Sequence, residues 1–342
     1  MNAVPSLTDK RMVVTGAAGF IGSHLSGSLV RAGATVVGID RRNPQQDQTA
    51  AVNLADLLEA PNFSYAVADL RTASLGEHLR DVDVVFHLAA IPGVRPSWGP
   101  EFEDYTSCNI LATQRLMDAA THLHVPRVVV ASSSSVYGAT DGSPSKESDL
   151  PQPTSPYGVT KLAAEQLCLA HAARDDCPTT AVALRYFSVF GPRQRHDMFI
   201  HRALMATMTG QPLRLFGHGH QRRDFTFIDD VVAATIAAAT ARTGNAVINV
   251  GAGVEANLLH VLDVICGLVG LPTPVVVVNS HAGDVEATLA DTTVAHHVLN
   301  WRPTTTLIEG IAQQLSSLDR TVSILNTGSK ALAGPLQTKN AI

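Results

Sequence analysis

Tyr157 and Lys161 stand four residues apart in Tyr157-Gly158-Val159-Thr160-Lys161, a spacing that sets a phenol and an ammonium on one face of a helix. A phenol with an ordinary pKa near ~10 is a poor base, but an adjacent lysine cation and a cationic pyridine ring both favour its anion. Such a pair can take a proton from a substrate hydroxyl while the carbon beneath it is oxidised. The electrons need an acceptor, and the start of the chain carries a holder for one. Gly16, Gly19 and Gly22 fall where an apolar run, Met12-Val13-Val14-Thr15, gives way to a helical pattern. Without Cβ atoms the backbone there can bend sharply and approach a pyrophosphate, which the free N–H groups of the helix start then face.

Two carboxylates follow at strand ends. Asp40 closes the second apolar run, where it can accept both hydroxyls of an adenosine ribose and repel a 2′-phosphate, favouring NAD over NADP. Arg41 and Arg42 come directly after it; they either welcome that phosphate or simply face solvent. Asp69, before Leu70, reads equally as an adenine contact and as a cap for the next turn.

The elements that position these groups are short β-branched runs at 11–15, 34–39, 63–67, 82–87, 127–131, 180–184 and 246–250, separated by longer amphipathic stretches. Near-continuous apolar strands joined by helical crossovers predict a doubly wound parallel α/β sheet of Rossmann type. After about residue 185 the rhythm loosens around Gly191-Pro192, Gly217-His218-Gly219 and Pro272-Thr273-Pro274, with short strands expected at 213–216 and 275–278. The expected organisation is a cofactor domain of residues 1–185 plus about 226–256, and a smaller mixed α/β substrate domain of about 186–225 plus 257–326. A loosely ordered tail is expected at 327–342.

Composition narrows the partners. The 342 residues carry a net charge of −5 and no basic stripe, which argues against nucleic acid. No apolar run reaches the ~18 to 20 residues of a membrane span and no leader pattern opens the chain, so a cytoplasmic protein without a membrane partner is expected. Cys108, Cys168, Cys177 and Cys266 have neither metal-type spacing nor the density of a disulfide framework; they are read as packing thiols, with no metal site.

Taken together with His87-Leu88-Ala89-Ala90 and Ser132-Ser133-Ser134-Ser135-Val136-Tyr137-Gly138, these motifs resemble the extended short-chain dehydrogenase/reductases of the nucleotide-sugar epimerase and dehydratase group. The likeness runs from about Arg11 to Trp301-Arg302-Pro303. It implies catalytic roles for Ser133, Tyr157 and Lys161, with Ser133 bonding the reacting oxygen and Lys161 also holding the nicotinamide ribose. It further implies cofactor contacts from Gly16, Ala18, Gly19, Phe20, Ile21, Gly22, Asp40, Arg41, Asp69, Leu70, Leu88, Ala89 and Ala90, and a homodimer formed through helices at roughly 100–122 and 156–173. Those helix faces read equally as cover for the sheet.

The serine run bears on the reaction. Related 4,6-dehydratases place Asp and Glu where this chain has Ser134 and Ser135, so dehydration lacks its acid and base; related decarboxylases usually carry Glu at the Ser135 position. The segment from Arg185 to Met198 is similar to UDP-glucuronate 4-epimerases, antibiotic-pathway members in particular, in having a hydroxyl at Ser188 and an arginine at Arg195, although His196 stands where they have proline. An arginine fork with small hydroxyl partners suits a carboxylate; a phosphate contact or a solvated charge is the other reading of Arg195. Arg223 matches the family's phosphate-binding arginine, while His281, before Gly283-Asp284-Val285, replaces a second one. The resemblance therefore implies substrate contacts from Ser133, Ser134, Ser135, Ser188, Arg195, Arg223, His281 and Asp284, and an NAD-dependent UDP-glucuronate 4-epimerase. Epimerisation of a neutral UDP-hexose, decarboxylation of UDP-glucuronate and a non-catalytic NAD sensor are the competing readings.

Overall fold

The computed structural model describes residues 7–279 and 283–318. Strands β1 (Arg11–Thr15), β2 (Thr35–Asp40), β3 (Phe63–Val67), β4 (Val84–His87), β5 (Arg127–Ser133) and β6 (Thr180–Tyr186) are followed by the short strands β7 (Ser188–Phe190), β8 (Leu213–Phe216) and β9 (Arg222–Phe227). Then come β10 (Ala246–Val250), β11 (Glu255–Asn257), β12 (Val275–Val278) and β13 (Ala287–Thr288). Seven of them form one sheet in the order β10-β6-β5-β4-β1-β2-β3, every neighbouring pair parallel. All seven runs read from the sequence are strands of this sheet, the ends differing by at most two residues.

Both faces of the sheet are buried, which explains the continuous apolar runs. Val14, Val36, Phe86 and Val182 pack with Leu25 and Leu29 of the helix Phe20–Arg31 and with Val231 and Ile236 of the helix Ile228–Thr240. Val13, Val37, Val85 and Val128, one residue out of phase, pack on the other face with Leu116 and Met117 of the helix Ala112–His122. The helix expected over 100–122 is divided: a turn at Phe102–Tyr105 passes through a π-helical stretch, Thr106–Leu111, before Ala112. The second expected helix runs Pro156–Ala172, capped by the Ser155 hydroxyl, which accepts from the Gly158 N–H at 3.1 Å.

The shorter strands form two further sheets. β9 pairs with β7, β11 and β13, and β8 pairs with β12, where the sequence placed short strands. Buried Asp224 in β9 fastens this region: its carboxylate accepts from the N–H groups of Ala252 (2.6 Å), Gly253 (2.9 Å) and Ala290 (3.2 Å). The loop after β10 is thereby tied to β9 and to the segment following β13. The tail at 327–342 lies outside the described residues. Among the described residues no helix is long and apolar enough to cross a membrane, and no cluster of His, Cys, Asp or Glu is arranged to hold a metal.

Candidate active site

Parallel strands with helical returns leave a crevice beyond their carboxyl ends. A cavity of about 1060 Å³ lies there, and the chain reaches it as it leaves β1 to β6. The turn after β1 contributes Gly16, Gly19, Phe20, Ile21 and Gly22. Gly16 has φ +71°, and a Cβ on it would come within 2.9 Å of the Ala89 nitrogen; one on Gly22 would fall on the Gly16 carbonyl oxygen. The helix Phe20–Arg31 begins at Gly19 with no side-chain cap and no acidic residue in its first turn. Its leading N–H groups are therefore left for an anion, as a dinucleotide pyrophosphate requires.

Ala18 does not line the cavity. It is fully buried, its N–H donating to Asp40 Oδ2 (3.2 Å) and its carbonyl accepting from Asn53 Nδ2 (2.9 Å), so it holds the turn rather than faces a ligand. Asp40 and Arg41 border the cavity. The guanidinium of Arg42 lies on both Asp40 oxygens, at 3.3 Å (Nε to Oδ1) and 3.2 Å (Nη2 to Oδ2), turning its charge toward that carboxylate. Asp69 and Leu70 line the wall, but Asp69 is bound by Arg71 through its N–H (2.9 Å) and guanidinium (2.6 Å), which holds the carboxyl below its ordinary pKa. Leu88, Ala89 and Ala90 continue the wall after β4.

A buried chain of hydrogen bonds fixes that exit. Thr113 Oγ1 gives its only proton to the Asn109 carbonyl (2.6 Å), so His87 Nε2–H donates to Thr113 (2.9 Å). Nδ1 then accepts from Thr15 Oγ1 (2.8 Å), whose oxygen accepts from the Ala89 N–H (3.2 Å). Burial and the nearby Lys161 push the imidazole down to about 3, consistent with a neutral ring.

Ser133, Ser134 and Ser135 leave β5 in a 3₁₀ turn, the Ser133 hydroxyl accepting from the Ser135 N–H (3.2 Å). The helix carrying Tyr157 and Lys161 packs against this turn through Gly158, where a Cβ would sit 2.6 Å from the Ser135 carbonyl oxygen. This close approach brings Tyr157 to Ser133. Burial raises the Tyr157 phenol above its ordinary value, while a hydrogen bond to Ser133 and the Arg195 cation oppose the rise. Lys161 is 5% exposed, and burial lowers its ammonium to about 8 against the partial support of Cys168 and Glu165. All five residues line the cavity.

The support beneath them was not read from the sequence. Ser97 Oγ accepts from the Tyr157 N–H (3.0 Å), and Tyr105 meets the Tyr157 ring edge-on at 6.3 Å while its hydroxyl donates to the carbonyls of Pro92 and Gly93. Asn109, buried in the π-helical stretch, accepts from the Ile91 N–H (2.7 Å) and donates to Thr160 Oγ1 (3.0 Å). Glu165 takes the Ser132 hydroxyl (2.6 Å) and one edge of Arg185, its Nη2 and Nε (2.7 and 3.0 Å). Of these, only Glu165 carried a signal, being one helical turn beyond Lys161.

On the other side Ser188 and Arg195 line the cavity. The Arg195 fork is engaged by Asp197, at 2.9 Å from both Nε and Nη2. Arg223 and Asp284 are not in the lining. Arg223 donates to the carbonyls of Arg222 (2.8 Å) and Val285 (2.7 Å), and Asp284 pairs with Arg95 Nη2 (3.0 Å). Arg95 in turn stacks 3.8 Å above the Phe216 ring. His281 lies outside the described residues.

A parallel sheet with a glycine turn at its first strand end, and a tyrosine and lysine facing the same crevice, defines a dinucleotide-dependent enzyme of the doubly wound class. Residues 12–251 match the model of the NAD dependent epimerase/dehydratase family, and the chain belongs to that family. A Bacillus subtilis relative described as an uncharacterized UDP-glucose epimerase, YtcB, is 40% identical over 311 residues, 90% of this chain and 98% of its own. MoeE5, solved with UDP-glucuronic acid and NAD, is 46% identical with a TM-score of 0.85, the match covering 91% of this chain and 99% of MoeE5. The Bacillus cereus UDP-glucuronic acid 4-epimerase, solved with the same two ligands, is 38% identical with a TM-score of 0.87 over 91% and 99% of the two chains. The protein is an NAD-dependent UDP-sugar 4-epimerase.

Proposed function

We propose that the sugar is glucuronate and that the enzyme interconverts UDP-glucuronate and UDP-galacturonate. The observation that carries this reading is the cavity wall around Tyr157, where the hydroxyls of Ser133, Ser134, Ser135 and Ser188 are joined by Arg195. Hydroxyl donors and a guanidinium are what a C6 carboxylate needs, and Arg195 keeps its Nη1 edge after the Asp197 pairing. The MoeE5 and Bacillus cereus structures with UDP-glucuronic acid support the same assignment. In this arrangement residues 1–185 with about 226–256 serve the cofactor, and about 186–225 with 257–326 serve the sugar nucleotide. Arg223, with Asp284 beside it, is assigned to the diphosphate, which requires the guanidinium to turn from the Val285 carbonyl; His281 is assigned to the same end.

When bound, NAD supplies a reversible two-electron acceptor beside the tyrosine. Tyr157 takes the C4 hydroxyl proton, Ser133 holds the oxygen, and the Lys161 cation supports the phenolate. The resulting 4-keto uronate is a β-keto acid and loses carbon dioxide once its C5–C6 bond aligns with the carbonyl π system. The serines and Arg195 hold the carboxylate out of that alignment. After the sugar turns its other face, Tyr157 returns the proton and C4 is inverted. With serines at 134 and 135, no carboxylic acid stands at these positions for elimination.

Product separation after incubation with UDP-glucuronate tests the reading: UDP-galacturonate supports it, UDP-xylose supports decarboxylation, and turnover of UDP-glucose alone supports a neutral-sugar enzyme. The last alternative has its own observation, since MoeE5 is also solved with UDP-glucose. Arg195→Ala is expected to raise KM for UDP-glucuronate by about tenfold or more, the loss of one charge-assisted contact, and to release some UDP-xylose; unchanged kinetics and products would remove Arg195 from the carboxylate site. A second copy of the chain is proposed to cover Phe102, Leu111 and Val159, which stand 38, 51 and 47% exposed on the two helices.

A further inference from the structure

The loop Gly191–Met198, which carries Arg195, is held from two sides. On one side Gln314 accepts from the Gly191 N–H (3.0 Å) and donates to Gln194 Oε1 (2.9 Å), which also accepts from the His201 N–H (3.0 Å). On the other side the loop is fastened to the cofactor turn. His24, one turn into the helix that starts at Gly19, meets the Pro192 carbonyl through Nε2 at 2.9 Å. A carbonyl only accepts, so Nε2 carries the proton; burial lowers the ring to about 4, and it donates as a neutral imidazole. The next residue, Arg193, reaches across to the Asn53 carbonyl (3.1 Å), and Asn53 in turn holds the Ala18 carbonyl within the glycine turn (2.9 Å). Arg193 does this with φ +62°, a backbone conformation that a β-carbon-bearing residue adopts only where its surroundings impose it.

Arg193 and Asn53 both border the cavity on its cofactor side, and Arg195, two residues on, borders it beside Tyr157. We infer that His24 and Arg193 are positioning residues that latch the Arg195 loop to the glycine turn, so that NAD and the UDP-sugar each strengthen the other's binding. An anion settled on the helix start fixes Ala18, Asn53 and His24; these fix Pro192 and Arg193; and the loop then presents Arg195 in one place. By reciprocity a sugar nucleotide that orders the loop slows the departure of NAD. The latch rests on the sugar lying against the Arg195 loop but not on which UDP-sugar it is.

The test is the release rate of labelled NAD from full-length holoenzyme, chased with unlabelled NAD, in a Tyr157→Phe background that blocks turnover. Rates are taken without sugar nucleotide, with UDP-glucuronate and with UDP-glucose. Saturating UDP-glucuronate is expected to slow release at least about fivefold, the lower end of ordinary coupling between sites. His24→Leu and Arg193→Gly should each bring that ratio below about twofold. His24→Gln, which keeps an N–H donor, should restore it. Glycine accepts the backbone conformation at 193, so Arg193→Gly carries the test even where the leucine variant fails to fold. A parent ratio near one, or variants that keep the parent ratio while only melting earlier, overturns the latch. Slowing by UDP-glucose but not by UDP-glucuronate leaves the latch standing and removes the glucuronate assignment instead.

Discussion

Replacing Lys161 with methionine should make the protein more stable and inactive. The site keeps an ammonium at 5% exposure, and burial lowers its pKa from 10.5 to about 8. At 1.36 kcal/mol per pKa unit the buried charge costs about 3 kcal/mol. Methionine has nearly the same length and helix propensity and no charge, so packing and helix are retained while that cost disappears. The sign follows from proton counting. Below pH 8 Lys161 is protonated in both the folded and unfolded chains, and the full cost is present. Between about 8 and 10.5 the unfolded chain holds the extra proton, so the parent gains stability as pH rises; above 10.5 both states are neutral and the cost is gone. Urea unfolding of NAD-stripped parent and Lys161→Met should therefore differ by about 3 kcal/mol at pH 7 in favour of the variant, and by little at pH 10.5. Other lysines and tyrosines titrate in both proteins and cancel in the difference. A variant no more stable than the parent at pH 7, or one whose advantage persists unchanged at pH 10.5, would refute the assignment of the cost to a desolvated ammonium.

Tyr157→Phe should lower kcat at least about a hundredfold, the ordinary contribution of a positioned acid–base group, while calorimetric binding of NAD stays near the parent's; equal loss of both would contradict the acid–base role. Gly158→Ala places a Cβ 2.6 Å from the Ser135 carbonyl oxygen, so the helix must retreat from the serine turn. A stability loss of about 1–3 kcal/mol is expected from such overpacking, together with a fall in kcat larger than any rise in KM. Parent-like melting and kcat would show that the two elements do not need this approach.

Most of the fold is legible in the sequence because the sheet is buried on both faces. Val13 and Val14 pack into different cores, so a run with no alternation is the signature of this environment rather than a gap in the pattern. The turn after β1 is legible for a related reason: Gly16 takes a positive φ of +71°, Gly22 meets the Gly16 carbonyl within the same turn, and Asp40 stands at a strand end. The opposite side depends on loops that meet over long distances in the chain. Arg95 comes from the segment after β4 to pair with Asp284, 189 residues later, and nothing near either residue announces the pairing. Arg223 turns to the carbonyls of β9 and of the segment before β13, a choice set by tertiary placement, not by its neighbours in sequence. Asn109 is hidden for another reason, since it sits buried in the stretch Thr106–Leu111 where the helix widens into a π turn, a departure from α-helical spacing that the sequence does not mark.

The same contrast separates the scaffold of the site from its chemistry. His87, Asn109, Asp224 and the Glu165–Arg185 pair are buried polar groups, and each is bonded by neighbours that satisfy it. Breaking one would leave an orphaned donor, acceptor or charge, so they hold shape and resist change. Lys161 is different: Glu165 and Cys168 support its charge only in part, and burial still wins. A helix that could have been more stable with an apolar residue at this position carries an incompletely compensated cation in the cavity wall that Tyr157 also lines. The i, i+4 spacing reveals that the two residues share a helix face, but the energetic imbalance arises only from the burial of Lys161 in the folded chain. Sequence thus places Tyr157 and Lys161 on one helix face, and packing makes the lysine's charge costly.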